Sequence, residues 1–108
     1  MNASPNPLEL FQQEAPEVAS AFTALVRSLE ARPTLNTKTK QLIYIGIKAV
    51  LGDQKAVYFH VPMAKKAGAT RDEIKDTILI SLTVCGLRAV AEILPLALEV
   101  YDRVDQFD

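Results

Sequence analysis

Apolar residues recur at three- and four-residue steps through nearly the whole chain, and no alternating strand pattern persists anywhere in it. The spacing predicts an all-α domain of about six helices. Asn6 followed by Pro7 and Glu9 reads as the first helix start, because the Asn side chain accepts an orphan N–H and Pro lacks the donor that would go unpaired there. From Pro16 onward, Val18, Phe22, Leu25, Val26 and Leu29 mark one apolar stripe, which ends at "ARPTLN", where Pro33 turns Arg32 away from helical geometry. Asn36 caps a third helix whose stretch "QLIYIGIKAVLG" is apolar on nearly every face, a pattern that means burial all round.

Gly52 and Asp53 form a tight corner, since Gly takes positive φ at a helix C-terminus and Asp suits the next N-cap. The helix that follows runs to "KKAG", with cations in its last turn and Gly68 as terminator. "TRDE" then opens the next one as a capping box, Thr70 with Glu73. Val90, Leu94, Ala97, Tyr101 and Val104 alternate steps of four and three, an a/d seam on a final helix that Pro95 bends.

Composition sharpens this picture. The chain has 108 residues, 49% of them apolar, and a domain that small leaves roughly a third of its unfolded-chain surface exposed. It cannot hide an all-apolar helix alone, so the expectation is a homo-oligomer whose subunits help to cover it. With 12 basic and 13 acidic residues the net charge is −1, which offers no broad field to nucleic acid or to an anionic membrane surface. The apolar runs are far shorter than the roughly 20 residues of a spanning helix, and "MNASPNPLEL" lacks the basic start and apolar stretch of a signal peptide. A cytoplasmic protein is expected. Its one cysteine, Cys85, cannot close an intramolecular disulfide, in keeping with a reducing compartment. It follows apolar Ile78, Leu82 and Val84 and reads as a buried structural thiol.

The chemistry concentrates around "LGDQKAVYFHVPMAKKAGAT", which holds the one histidine, His60. Residues 53, 56 and 60 share a helix face, with about 10 Å of rise from Asp53 to His60, so a pocket there would have a carboxylate at one end and an imidazole at the other. Pro62 removes its own N–H and crowds the Tyr58 carbonyl, leaving that oxygen free beside His60. The plain alternative is a histidine that packs with one satisfied hydrogen bond. No metal site is expected, because one imidazole with no second His and no nearby Cys offers too few ligands. Arg88 and Glu92 are spaced as a surface pair; the sharper reading turns Arg88 inward to hold a substrate carboxylate.

"TKTKQLIYIGIKAVLG", followed after a spacer by "FHVPMAKKAGATRDEIKDTILISLTVCGLRAV", resembles the carboxymuconolactone decarboxylase family, which includes the alkylhydroperoxidase D proteins. The resemblance covers roughly residues 35 to 101 of what it implies is a single domain, with residues 1 to 34 as N-terminal helices. It implies an alkylhydroperoxidase D-like fold of paired helices assembled into homotrimers or homohexamers. The peroxidase branch carries a glutamate, a C-x-x-C pair and a histidine four residues after the second cysteine; here Gln41, Asp53, Ala56 and His60 stand at those positions. A carboxylate cannot reduce a peroxide, Ala56 is inert and Gln41 is no acid at neutral pH, so thiol-dependent peroxidase activity is the least favoured reading. The decarboxylase branch lacks the cysteine pair and keeps the histidine. That resemblance implies a lyase that acts on, or a protein that binds, a small lactone or carboxylic acid. In this reading His60 is the general acid/base, Arg88 the anion anchor, and Tyr58, Gln41 and Asp53 complete the wall; no cofactor is implied. The alternative is a non-catalytic oligomeric binding or scaffold protein that kept the fold and lost the chemistry.

Overall fold

Local capping sets most of the helix boundaries in the computed structural model, which describes residues 6–104. Two compact units divide at the Thr34/Leu35 step. In the first, the Asn6 side chain accepts the Leu8 N–H at 2.8 Å and the Glu9 carboxylate reaches back to the Asn6 N–H. α1 (Pro7–Glu14) starts from that box, and α2 (Pro16–Glu30) follows after a break at Ala15. Phe11 and Phe22 meet with ring centroids 6.1 Å apart. The stripe expected on α2 is present but largely unburied: Val18, Phe22, Leu25 and Leu29 are all exposed, and Ala19 is the buried residue of that helix.

The second unit carries the main core. Asn36 caps α3 (Thr37–Leu51) by accepting the Thr39 N–H at 2.8 Å. α3 ends at Gly52, whose φ of 74° places it in the left-handed region; a Cβ there would also lie 2.8 Å from Nη1 of Arg88. The positive φ is what favours glycine at this corner, since the Arg88 guanidinium is the movable end of a flexible side chain. Asp53 caps α4 (Gln54–Lys66), which runs through Pro62 without interruption and closes at Gly68, φ 103°. Thr70 and Glu73 form the expected reciprocal box at the head of α5 (Arg71–Leu79).

The tail of the chain departs from the sequence reading. After the short α6 (Leu82–Cys85), which ends at Gly86 with a φ of 67°, the single bent final helix expected from Val90 to Val104 is replaced by α7 (Arg88–Glu92) and α8 (Leu94–Arg103), because Pro95 starts a new helix at its first turn. Proline lacks the donor that would have bonded back across the junction. The described residues are all-α, with six helices of eight residues or more and two single turns.

The core follows the heptad-like spacings of these helices. Ile45 and Ala49 of α3, Val57, Val61 and Ala64 of α4, Ile74 and Ile78 of α5, and Ile93, Ala97 and Val100 beside or on α8 are buried together. Each buried Ile or Val contributes about 1.5–3 kcal/mol, and the alanines let the helices approach closely. Polar ties close the rim. The Lys65 ammonium donates to the Tyr101 carbonyl at 2.9 Å, and the Tyr101 hydroxyl donates to the Ala69 carbonyl at 2.9 Å. Arg71 meets Asp102 at 2.9 Å and Lys38 meets Glu73 at 3.1 Å. Cys85 is a free, half-buried thiol packed against this core.

"QLIYIGIKAVLG" is not buried all round. Ile45 and Ala49 face the core, Ile43, Ile47 and Leu51 are exposed, and Gln41, Tyr44 and Lys48 make a third, polar face.

Candidate functional site

α3 and α4 form an antiparallel hairpin through Gly52, and the polar face of each meets that of the other. Gln41, Tyr44 and Lys48 lie at successive helical turns on α3; Asp53, Ala56 and His60 do the same on α4. The antiparallel register pairs the far end of one set with the far end of the other. Next to the corner, the Lys48 ammonium lies 3.3 Å from Oδ2 of Asp53, while Oδ1 of Asp53 accepts the Ala56 N–H at 3.1 Å. Two turns away, Nδ1 of His60 lies 2.9 Å from Oε1 of Gln41. Between them the Tyr44 ring stacks on the imidazole, centroids 3.9 Å apart and planes 29° apart, and the Lys48 ammonium sits 5.5 Å from the Tyr44 ring centre.

This arrangement decides the state of the imidazole. With the Gln41 amide oxygen facing the ring, Nδ1 is the donor, and in that neutral tautomer Nε2 is the bare nitrogen. Nε2 has no hydrogen bond in the described residues, and it is not sealed away, since no buried side-chain nitrogen lacks a partner. Half-burial of the ring, and secondarily the Lys48 charge, hold the His60 pKa below its ordinary value. The neutral base is the favoured form. The Ala56 N–H, followed by Lys48, holds the Asp53 carboxyl below its usual range despite some desolvation. Ala56 leaves only a methyl group between the carboxylate and the imidazole, where the peroxidase branch has a thiol.

The residues expected at the site separate into two groups. Gln41, Asp53 and His60 come together. Tyr58, two positions from His60 and so on another side of α4, packs its ring edge-on against Phe59 at 5.4 Å and is exposed. Arg88 donates to the Val50 carbonyl at the C-terminus of α3 and lies 4.0 Å from Glu92, the spacing of a surface pair. It is engaged with an orphan carbonyl at the helix end, a common use of arginine. Tyr44 and Lys48 were missed by the sequence reading. Their signal was available: they lie three and seven residues beyond Gln41, the same steps that put Ala56 and His60 on the face of Asp53.

The carboxymuconolactone decarboxylase family profile matches residues 16–99, and the chain belongs to that family. The match begins at the start of α2, well before the stretch that carries the sequence resemblance. An uncharacterized protein of Methanocaldococcus jannaschii is 27% identical over 93 residues, covering 86% of this chain and 87% of that protein. The apo crystal structure of a carboxymuconolactone decarboxylase family protein from Legionella pneumophila superposes with a TM-score of 0.80 at 26% identity, covering 90% of this chain and 86% of that one. No helix among the described residues is long and apolar enough to cross a membrane.

Proposed function

We propose that the polar face of the α3–α4 hairpin binds a small carboxylic acid or lactone, and that His60 exchanges a proton with it through Nε2, in a lyase-type rather than a peroxidase reaction. The observation that supports this reading is the asymmetry of the ring: Nδ1 meets Gln41, while Nε2 has no hydrogen-bond partner among the described residues and is not fully buried. As a base, Nε2 takes a proton from the ligand; the resulting imidazolium keeps its Nδ1–H on the Gln41 oxygen and can return the Nε2 proton to a developing carbanion or leaving oxygen. Lys48, beside the ring and held by a partly exposed Asp53, is the cation placed to meet a ligand carboxylate. In this reading it takes the part that the sharper sequence reading gave to Arg88.

Benzoate, acetate and γ-butyrolactone serve as probes in a thermal-shift titration of wild type and His60→Ala. Ligand at a hundred times its Kd stabilises by about 2.7 kcal/mol, so at least one probe is expected to raise the wild-type melting temperature saturably, with the rise lost in His60→Ala. Equal responses of the two proteins, or none from any probe, would overturn the reading. A second reading, a non-catalytic binding or scaffold protein, draws support from the exposed apolar groove on another face of α3; it expects probe-independent melting and self-association.

A further inference from the structure

Gln41 does not fix the His60 ring alone. Its amide sits at the end of a long, flexible side chain, and among the described residues it forms no hydrogen bond besides the one to Nδ1. A partner so loosely held follows the imidazole as it tilts. Tyr44, one turn further along α3, meets the ring from a different direction: the two rings lie face to face, centroids 3.9 Å apart and planes 29° apart. The Tyr44 hydroxyl forms no hydrogen bond among the described residues, so what this side chain offers His60 is the flat face of its ring. The two contacts are complementary. The hydrogen bond lies in the plane of the imidazole and selects which nitrogen is bound; the stack lies across that plane and resists the tilt that the hydrogen bond allows. Gln41, Tyr44 and His60 are all half-buried.

We infer that Tyr44 is a positioning residue for His60, holding the plane of the imidazole so that Nε2 meets a ligand along one line; the inference rests on His60 exchanging a proton through that nitrogen. The Nε2 lone pair lies in the ring plane, so a tilted ring aims it away from the hydrogen it is to take. Misplacement of a reacting group by about 1 Å costs on the order of 100-fold in rate. Tyr44 covers one face of the ring and Gln41 its Nδ1 edge, which leaves the Nε2 edge for the ligand. The Lys48 ammonium lies 5.5 Å from the centre of the same Tyr44 ring. One aromatic side chain therefore spaces the base from the cation that meets the ligand carboxylate, and sets where the two ends of the ligand fall. Phenylalanine would serve equally, because the hydroxyl has no partner; leucine would not, because a branched alkyl chain offers no flat face.

Long-range ¹H–¹⁵N correlation spectra of the His60 ring in the ligand-free protein, with Tyr44→Phe and Tyr44→Leu beside the wild type, are the test. Losing a stacked ring contact moves an equilibrium about 2- to 10-fold. The ratio of Nδ1-protonated to Nε2-protonated ring is expected to fall by that factor in Tyr44→Leu and to hold in Tyr44→Phe. In the wild type, nuclear Overhauser contacts between the ring protons of Tyr44 and His60 are expected, a reading that needs no variant to fold. Their absence would overturn the inference and leave the role of His60 standing. So would an Nδ1-protonated ring that is unchanged in a helical Tyr44→Leu, or an equal loss in Tyr44→Phe and Tyr44→Leu. A wild-type ring protonated on Nε2 would overturn both the positioning and the proton exchange.

Discussion

Replacing Gln41 by glutamate tests the geometry of the site through its only histidine. The substitution keeps the side-chain length and puts a carboxylate oxygen where Oε1 now lies, 2.9 Å from Nδ1 of His60. Two unit charges about 4 Å apart interact by roughly 4 kcal/mol at an effective dielectric constant of 20. Half-exposure and the nearby Lys48 cut this down, to an expected gain of about 10- to 100-fold in the proton affinity of the imidazole. A ring now biased toward the neutral form becomes biased toward the imidazolium. The pH dependence of stability must then change sign. In the wild type His60 has a lowered pKa in the folded state, so its contribution is present above the unfolded-state value near 6.5 and is lost as pH falls through the folded value. In Gln41→Glu the folded-state pKa lies above the unfolded one; the contribution is present at lower pH and is lost as pH rises through it. The His60 contribution should make the wild type lose stability as pH falls below about 6.5, and the variant lose stability as pH rises through its raised folded-state value, with a limiting slope of unfolding free energy near 1.4 kcal/mol per pH unit per proton. Because the chain has one histidine, its ring C–H resonances give the pKa by NMR without assignment. A pKa in Gln41→Glu equal to or below that of wild type would refute the pairing of these two side chains.

Lys48→Met removes the smaller of the two causes that lower the His60 pKa, burial being the larger; the same NMR titration should show a rise, smaller than that of Gln41→Glu. Gly52→Ala places a Cβ at positive φ and against the Arg88 guanidinium. It should cost about 1–2 kcal/mol for the positive-φ backbone, read from urea melts. With Cys85 as the one thiol and Asp53 and Ala56 in place of a cysteine pair, the protein should not turn over hydroperoxides with a dithiol; turnover abolished by Cys85→Ala would contradict this.

Much of the architecture was legible because it is written in local chemistry. Asn6, Asn36, Asp53, Thr70 with Glu73, and the glycines at 52 and 68 act within a turn of themselves, and each does in the structure what its type implies. The break at Ile93 was not read, because the four-and-three spacing from Val90 to Val104 continues across it and Pro95 was taken as a bend rather than a first turn. At the site, helical phase placed Asp53 and His60 on one face, and the family frame singled out Gln41. Which cation stands beside the imidazole was not legible. Arg88 has the better shape for a carboxylate, but the tertiary fold brings it to the Val50 carbonyl, and Lys48 reaches the site instead. An apolar helix also looked buried on every side, since hydropathy does not separate a face that meets its own core from one left open, as at Ile43 and Ile47.

The account depends on which nitrogen of His60 carries the proton. Long-range ¹H–¹⁵N correlation spectra of the ring, recorded well above its pKa, read the tautomer directly. Donation from Nδ1 to the Gln41 oxygen predicts a protonated Nδ1 and a bare Nε2, and Gln41→Ala should release that preference toward the mixture of a free imidazole. A wild-type ring protonated on Nε2 would contradict the account, because the nitrogen assigned to proton transfer would then be unable to accept one.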